Sequence, residues 1–432
     1  MHSSPLPDVA LPDVPLDRLV PRSGLPAVTE YDTGRTVTYT ELGALADAAA
    51  TRLRSRGVGP GSVVELCLPN SIDFAVALLA VSRTGAAACL VGHSLIDVEV
   101  SRLSALAGVT HRVEPGDLAA GPADDFAPAD PDSVAAIPFS SGTTGLPKGV
   151  ELTHRSITAN AVQFNAALAA SGIGKGTRVA APLPFSHIYG LNTLLLSSFA
   201  AGRHVFTAAR FNLDEFARAH RGHAIELSFI APPIALALAN SPAIDPADFA
   251  ACAHMVCGAA PLDEALARRV EDRLGTVMLQ GYGTTESSPV THVGIAGRSN
   301  PGTIGFAIPN TEFRVVDLGT GAELPDGHDG ELHVRGPQVM RGYLHNPEAT
   351  RNAIVGGWLR TGDIARVNPD ATVTVVDRAK DVFKYHGFQI APAELEALML
   401  THPQIDDVAV AERGGVPKAF VVKQGPLDEA QV

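Results

Sequence analysis

The sequence predicts an α/β protein, a large N-terminal domain of layered α/β sheets carrying a β-rich subdomain. Three patterns say so. Short apolar runs alternate with stretches of helical spacing through the first two thirds of the chain. Turns rich in glycine close several of those runs, where the ligand loops of parallel sheets lie. From Thr303 to Val376 the spacing changes to short alternating strands broken by turns.

In chain order, Val63–Leu68 is short and apolar and reads as a strand; Asp73–Arg83 has helical spacing and stops at Gly85. Glu114–Asp132, rich in Ala, Pro and Asp, reads as a linker-like connection. Val134–Phe139 is a short buried strand, a glycine-rich loop follows, and a helix is expected from near Thr153. Further strands are expected at Arg178–Leu183, Ile225–Ala231 and Met255–Val256. Helices are expected at Leu191–Ala200, Leu213–His220 and Leu262–Leu274. Turns at Leu318-Gly319, Pro325-Asp326-Gly327 and Asn368-Pro369-Asp370 punctuate the β-rich part.

Composition bounds the function. With 46% hydrophobic residues in 432, the chain can build cores for two or three domains. A net charge of −13 argues against a general nucleic-acid surface, so any anionic ligand needs a local basic pocket. The cysteines, Cys67, Cys89, Cys252 and Cys257, form no CxxC pair, as expected of free thiols in a reducing compartment. The first 24 residues lack the apolar core of a signal peptide, and no run approaches a membrane span. A cytoplasmic enzyme, monomeric or homodimeric, is the expectation.

The densest chemistry lies in Ser140-Ser141-Gly142-Thr143-Thr144-Gly145-Leu146-Pro147-Lys148-Gly149. Its glycines allow backbone N–H groups to converge on one point, and its hydroxyls and ammonium group add donors, which suits a polyphosphate. The glycine and lysine spacing differs from the P-loop. Taken alone, the run also fits an ordinary surface loop. Gly281-Tyr282-Gly283-Thr284-Thr285-Glu286 follows an apolar strand: a tyrosine there can stack on a purine, Thr285 can bond a phosphate oxygen, and Glu286 can hold Mg²⁺. A tight turn with an exposed glutamate remains the plainer alternative. Thr361-Gly362-Asp363 offers a carboxylate able to accept both hydroxyls of a ribose, and Asp377-Arg378 offers a second contact. In Pro184-Phe185-Ser186-His187-Ile188-Tyr189-Gly190, His187 is placed to line an organic-acid pocket, although a lone histidine is more often structural.

Together these segments resemble the adenylate-forming superfamily of acyl-CoA synthetases, luciferases and adenylation domains, nearest the 4-coumarate–CoA ligase branch. The resemblance runs from about Leu16 to Val422. It includes Gly330-Glu331-Leu332, Arg335-Gly336-Pro337-Gln338-Val339-Met340-Arg341-Gly342-Tyr343, and Lys384-Tyr385-His386-Gly387-Phe388-Gln389-Ile390-Ala391-Pro392-Ala393-Glu394-Leu395-Glu396. It implies that a carboxylate attacks the α-phosphate of Mg·ATP to give an acyl-adenylate and pyrophosphate. A thiol, of CoA or a carrier protein, then displaces AMP. By position, Ser140, Ser141, Thr143, Thr144 and Lys148, with Gly142 and Gly145, hold phosphates. Tyr282 and Gly283 adjoin adenine, Thr285 the α-phosphate, Glu286 the Mg²⁺, and Asp363 and Arg378 the ribose. Lys384 and Gln389 support the adenylate, and His187 gates and positions the acid. The acid pocket is expected from Tyr189, Gly258, Ala259, Gly281, Pro289 and Val290, with room for an aryl or aryl-propenoic acid ahead of a medium-chain fatty acid.

The resemblance also implies two domains, 1–378 and a small, partial α+β C-terminal domain, 379–432, after a hinge at Lys380. Relatives bring a lysine near a Pro-Ser/Thr-Gly-Lys run to the reacting groups. That run is absent up to Val432, and the segment from Val91 to Asp132 looks compressed. Loss of one such preorganised donor typically costs ~3 kcal/mol, about 10²–10³ in rate. An impaired nucleotide-binding homologue is therefore one alternative; another acceptor, or an unusual oxyanion substrate such as nitrite, are others.

Overall fold

The computed structural model describes residues 1–140, 147–379, 383–385, 388–390, 392–399, 404–413 and 416–423. It divides into two compact units. One comprises Ser3–Glu312 and Arg335–Leu359; the other comprises Met1–His2, Phe313–Val334 and the chain from Arg360 onward.

The first unit holds two large sheets. In the nine-stranded sheet, Val277–Gly283, His254–Cys257, Leu227–Ile230, Arg178–Ala180, His204–Thr207 and Pro26–Glu30 run parallel in that spatial order. Antiparallel strands close both edges: Val290–Val293 with Phe306–Ala307, and Thr36–Thr38. Leu227–Ile230 is buried at every residue, as strands covered on both faces are. Phe206, Phe216, Ile230, Leu238, Phe249 and Met278 fill the core beside this sheet.

The seven-stranded sheet has parallel strands at His111–Arg112, Val63–Leu66, Ala87–Leu90 and Val134–Ile137. Lys148–Thr153 then joins antiparallel, followed by Gly342–Tyr343. The strand Lys148–Thr153 corrects the expectation of a loop running straight to a helix. From Val150 to Thr153 its residues alternate inward and outward, but the glycine-rich run before them masks the pattern. The helix does begin beside Thr153, at His154–Ala170, because the Thr153 hydroxyl accepts the Ser156 N–H.

Local caps set other boundaries. Ser71 caps the helix Ile72–Thr84, and Gly85 ends it at φ 75°, a left-handed conformation that glycine adopts without strain. The helix expected from Leu262 starts at Glu264, because Asp263 takes the cap by accepting the Leu266 N–H; Leu262 packs into the core instead. The helical run expected at Leu191–Ala200 begins at Tyr189 as a wide π-type turn through Leu196 before Ser197–Ala200 continues it. The linker-like segment Glu114–Asp132 is tethered. Arg52 donates to the carbonyls of Ala119 and Ala120, and Arg56 pairs with Asp117.

The second unit centres on Gly330–Arg335, Trp358–Val367 and Val373–Arg378, the last two antiparallel. The expected turns are present: Asp317 accepts from Gly319 and Thr320, and Asp370 accepts from Thr372. The same unit also holds the hairpin Phe383–Tyr385/Phe388–Ile390, the helix Pro392–Met399, and the strand pair Ile405–Glu412/Pro417–Lys423. Ile405, Val408 and Val410 pack on Leu395, Met399 and Val421.

Candidate functional site

The strands that flank the glycine-rich run pair with each other. Phe139–Ser140 pairs with Lys148–Thr153, setting Ser140 opposite Lys148 and Phe139 opposite Gly149. Residues 141–146 between them, including Ser141, Gly142, Thr143, Thr144 and Gly145, lie outside the described residues. At the start of the second strand the Lys148 ammonium stands 4.8 Å from the centre of the Tyr343 ring, within cation–π range.

The same stem packs beside the turn Thr285–Ser287, which carries Thr285 and Glu286. Sequence dictates this turn's shape. A Cβ on Gly283 would lie 1.8 Å from the Pro289 carbonyl oxygen, so only glycine lets the strand end there. The Ser287 hydroxyl accepts the Thr284 N–H and donates to the Pro289 carbonyl, folding the turn back on itself. Thr285 and Glu286 stay partly exposed. Met340 N–H donates to the Glu286 carbonyl at 2.7 Å, and the Tyr343 hydroxyl donates to Glu286 Oε1 at 2.8 Å. Burial, with the Glu286 charge adding to it, pushes the Tyr343 pKa far above its ordinary value, so this phenol stays a donor at any working pH. Tyr282 sits opposite His292 in register, its half-buried ring edge-on to that imidazole at 6.1 Å.

A third group forms the wall expected to meet an acid. His187 is exposed to solvent yet crowded by protein, as a residue on a cleft wall is, and this desolvation lowers its pKa. Its Nδ1 accepts the Tyr189 N–H at 3.2 Å, so the neutral ring carries its proton on Nε2. Tyr189 is buried, with its hydroxyl donating to the Val256 carbonyl at 3.0 Å. Gly258 abuts it: a Cβ there would stand 3.2 Å from both the Tyr189 ring and the Gly281 carbonyl oxygen. Ala259 is exposed at φ 72°. Pro289 and Val290 are buried, and Asn160 holds both backbone groups of Val290. The structure thus brings Tyr189, Gly258 and Gly281 together and gathers Ser140, Lys148, Thr285 and Glu286 around a second focus.

In the other unit, Asp363 and Arg378 face each other across neighbouring strands, with the guanidinium 3.4 Å from the carboxylate. Asp363 is buried and Arg378 exposed. Gly362, at φ 75°, turns its carbonyl to accept the Ala379 N–H. Lys384 and Gln389 are directly opposed in their hairpin; their side chains, and Lys380, lie outside the described residues.

Sequence reasoning assigned no role to Tyr343, Asn160 or Asn192. Asn192 donates to the carbonyls of Ile157 and Ser288, tying the His187 wall to the Glu286 turn. Tyr343 stood in a motif already singled out, but its hydroxyl reaches a residue 57 positions earlier, which no local pattern reveals.

Among the described residues, no group of three or more His, Cys, Asp or Glu gathers to hold a metal. A cation at Glu286 would have one protein carboxylate, which suits Mg²⁺ that keeps waters and phosphate oxygens as its other ligands. No described helix is long and apolar enough to cross a membrane.

A family model for AMP-binding enzymes matches residues 20–125 and 111–344. The chain is 36% identical over 469 residues to a 4-coumarate–CoA ligase of Oryza sativa subsp. japonica, spanning 96% of this chain and 85% of that one. It is 33% identical over 484 residues to a 4-coumarate–CoA ligase of Pinus taeda, spanning 100% and 90%. Among solved structures, ATP-bound MatB from Rhodopseudomonas palustris matches with a TM-score of 0.88 at 25% identity, covering 96% of this chain and 90% of that one.

Proposed function

The chain belongs to the AMP-binding enzyme family, and from that membership we propose that it is an AMP-forming acid–thiol ligase. It activates a carboxylic acid with ATP to an acyl-adenylate, releasing pyrophosphate, and transfers the acyl group to the thiol of CoA. The observation that carries this reading is the convergence of Lys148, at the end of the glycine-rich run, with the Glu286 turn.

The acid's carboxylate is already a competent nucleophile, so the protein's work is placement and charge neutralisation. Lys148, Ser140 and the hydroxyls of the loop take the β and γ phosphates, and Thr285 takes the α-phosphate. Glu286 supplies the protein ligand for Mg²⁺. When bound, that cation offsets the charge that gathers on the phosphate oxygens. Tyr282 offers its half-buried ring to adenine, and Asp363, with Arg378, takes the ribose hydroxyls. Neutral His187 lines the entry for the acid and donates from Nε2.

The shape of the acid wall favours a flat substrate. Gly258 and Gly281 place no side chain on this wall, and a Cβ at 258 would crowd the Tyr189 ring and the Gly281 carbonyl, which suits an aryl or aryl-propenoic acid. This is also the substrate class in the names of the rice and pine relatives. The same reading divides the chain at residue 378, with Lys380 as the hinge to a small C-terminal domain.

The test is acid-dependent ATP–pyrophosphate exchange across a panel of aryl, aryl-propenoic and fatty acids. Exchange with a cinnamate-type acid, lost on Lys148→Ala, supports the reading. Absence of exchange with every acid, together with no binding of AMP, defeats it.

A further inference from the structure

One short segment joins the two charged groups of the site. Met340 N–H donates to the Glu286 carbonyl, Arg341 N–H to Glu151, and Leu344 N–H to Gly149. Gly342 and Tyr343 pair with Glu151 and Val150 of the Lys148 strand. Tyr343 is anchored in turn by its own N–H, which donates to Thr350 Oγ1 at 2.9 Å. From this fixed backbone its side chain touches both charges, the ring face meeting the Lys148 ammonium and the hydroxyl meeting Glu286 Oε1.

A lysine and a glutamate brought to one focus have an obvious alternative, which is to pair with each other. Such a pair would satisfy both groups and leave neither for a ligand, because a lysine stem is long enough to follow the carboxylate. Among the described residues no ion pair forms between Lys148 and Glu286, and the contact each makes is to the neutral phenol instead. A π face attracts the ammonium without consuming its hydrogen-bond donors. The hydroxyl occupies one carboxylate oxygen and fixes the plane of the group, leaving the second oxygen for another partner.

We propose that Tyr343 is a positioning residue that keeps Lys148 and Glu286 from neutralising each other, holding the ammonium ready for phosphate oxygens and the carboxylate ready for a divalent cation. The proposal rests on the functional reading above, in which those two groups meet Mg·ATP.

The test measures binding, with Mn²⁺ as a paramagnetic stand-in for Mg²⁺ and α,β-methylene-ATP as a non-reacting nucleotide. Tyr343→Phe keeps the ring and removes the hydroxyl. It should weaken Mn²⁺ in the nucleotide complex roughly five- to tenfold, the scale of one lost charge-assisted hydrogen bond. Metal-free AMP binding should stay at the wild-type level. In Glu286→Gln the further Tyr343→Phe change should add little, because the two act through one contact. Wild-type Mn²⁺ affinity in Tyr343→Phe, with Glu286→Gln impaired, overturns the positioning role and leaves the functional reading standing. Unchanged Mn²⁺ binding in Glu286→Gln removes the metal role of Glu286 and the proposal with it. Loss of AMP binding in Tyr343→Phe assigns the residue to the fold and also overturns the proposal.

Discussion

His187 Nδ1 accepts the backbone N–H of Tyr189, two residues on, at 3.2 Å. That contact selects one tautomer, and crowding by the surrounding protein keeps the ring neutral below the ordinary histidine range. The pair therefore presents an Nε2–H donor to the cleft at neutral pH.

The first prediction follows. The acidic limb of acid-dependent exchange should be centred below the ordinary histidine value of about 6.5, because desolvation of His187 disfavours its charged form. In His187→Gln, which retains a donor but cannot titrate, the acidic limb assigned to this group should vanish. A wild-type limb centred at or above 6.5 in the pH–rate profile contradicts the lowered pKa.

Gly258→Ala tests the acid wall. The new methyl would press on the Tyr189 ring and the Gly281 carbonyl at 3.2 Å, closer than ordinary contact. KM for an aryl-propenoic acid should rise about tenfold, the size of a modest steric penalty in a packed site. KM for ATP should be unchanged. Equal effects on acid and ATP would place Gly258 away from the acid.

Asp363→Asn tests the ribose assignment. The amide keeps the volume but loses one acceptor and the negative charge that pairs with Arg378. Affinity for AMP should fall roughly tenfold, on the scale of a hydrogen bond to a charged group. The preference for AMP over its 2′,3′-dideoxy analogue should shrink with it. If calorimetry finds that preference intact in the variant, Asp363 does not hold the diol.

Three buried imidazoles and a half-buried one, His204, set an acid limit on stability. Burial lowers His154, His204 and His220 to about 4 and His292 to about 3. The unfolded chain takes up protons near 6.5, so between about pH 6.5 and 4 it binds more protons than the folded state. Stability therefore holds above 6.5 and falls steadily as pH drops through that window. Urea midpoints at pH 7.5, 6 and 5 should decline in order. A flat series would show that these side chains titrate alike in both states.

Much of the architecture was legible because its causes are local. Gly85, Thr153 and Asp263 mark helix ends through hydrogen bonds spanning three or four residues. The parallel strands announce themselves as short apolar runs between them. The strand Lys148–Thr153 escaped notice because its alternation lies directly behind a glycine-rich loop. Lys148, Glu286, His187 and Asp363 were identifiable as chemical groups because their turns and spacings are short motifs.

What the sequence alone determined was therefore a set of reactive groups at strand ends, each specified by neighbours within a few positions. The tertiary structure decided whom those groups touch. Tyr343 reaching Glu286, and Asn192 reaching Ser288 from 96 positions away, are contacts between distant segments. They arise only when sheets and helices pack, because packing brings together residues that no periodicity relates.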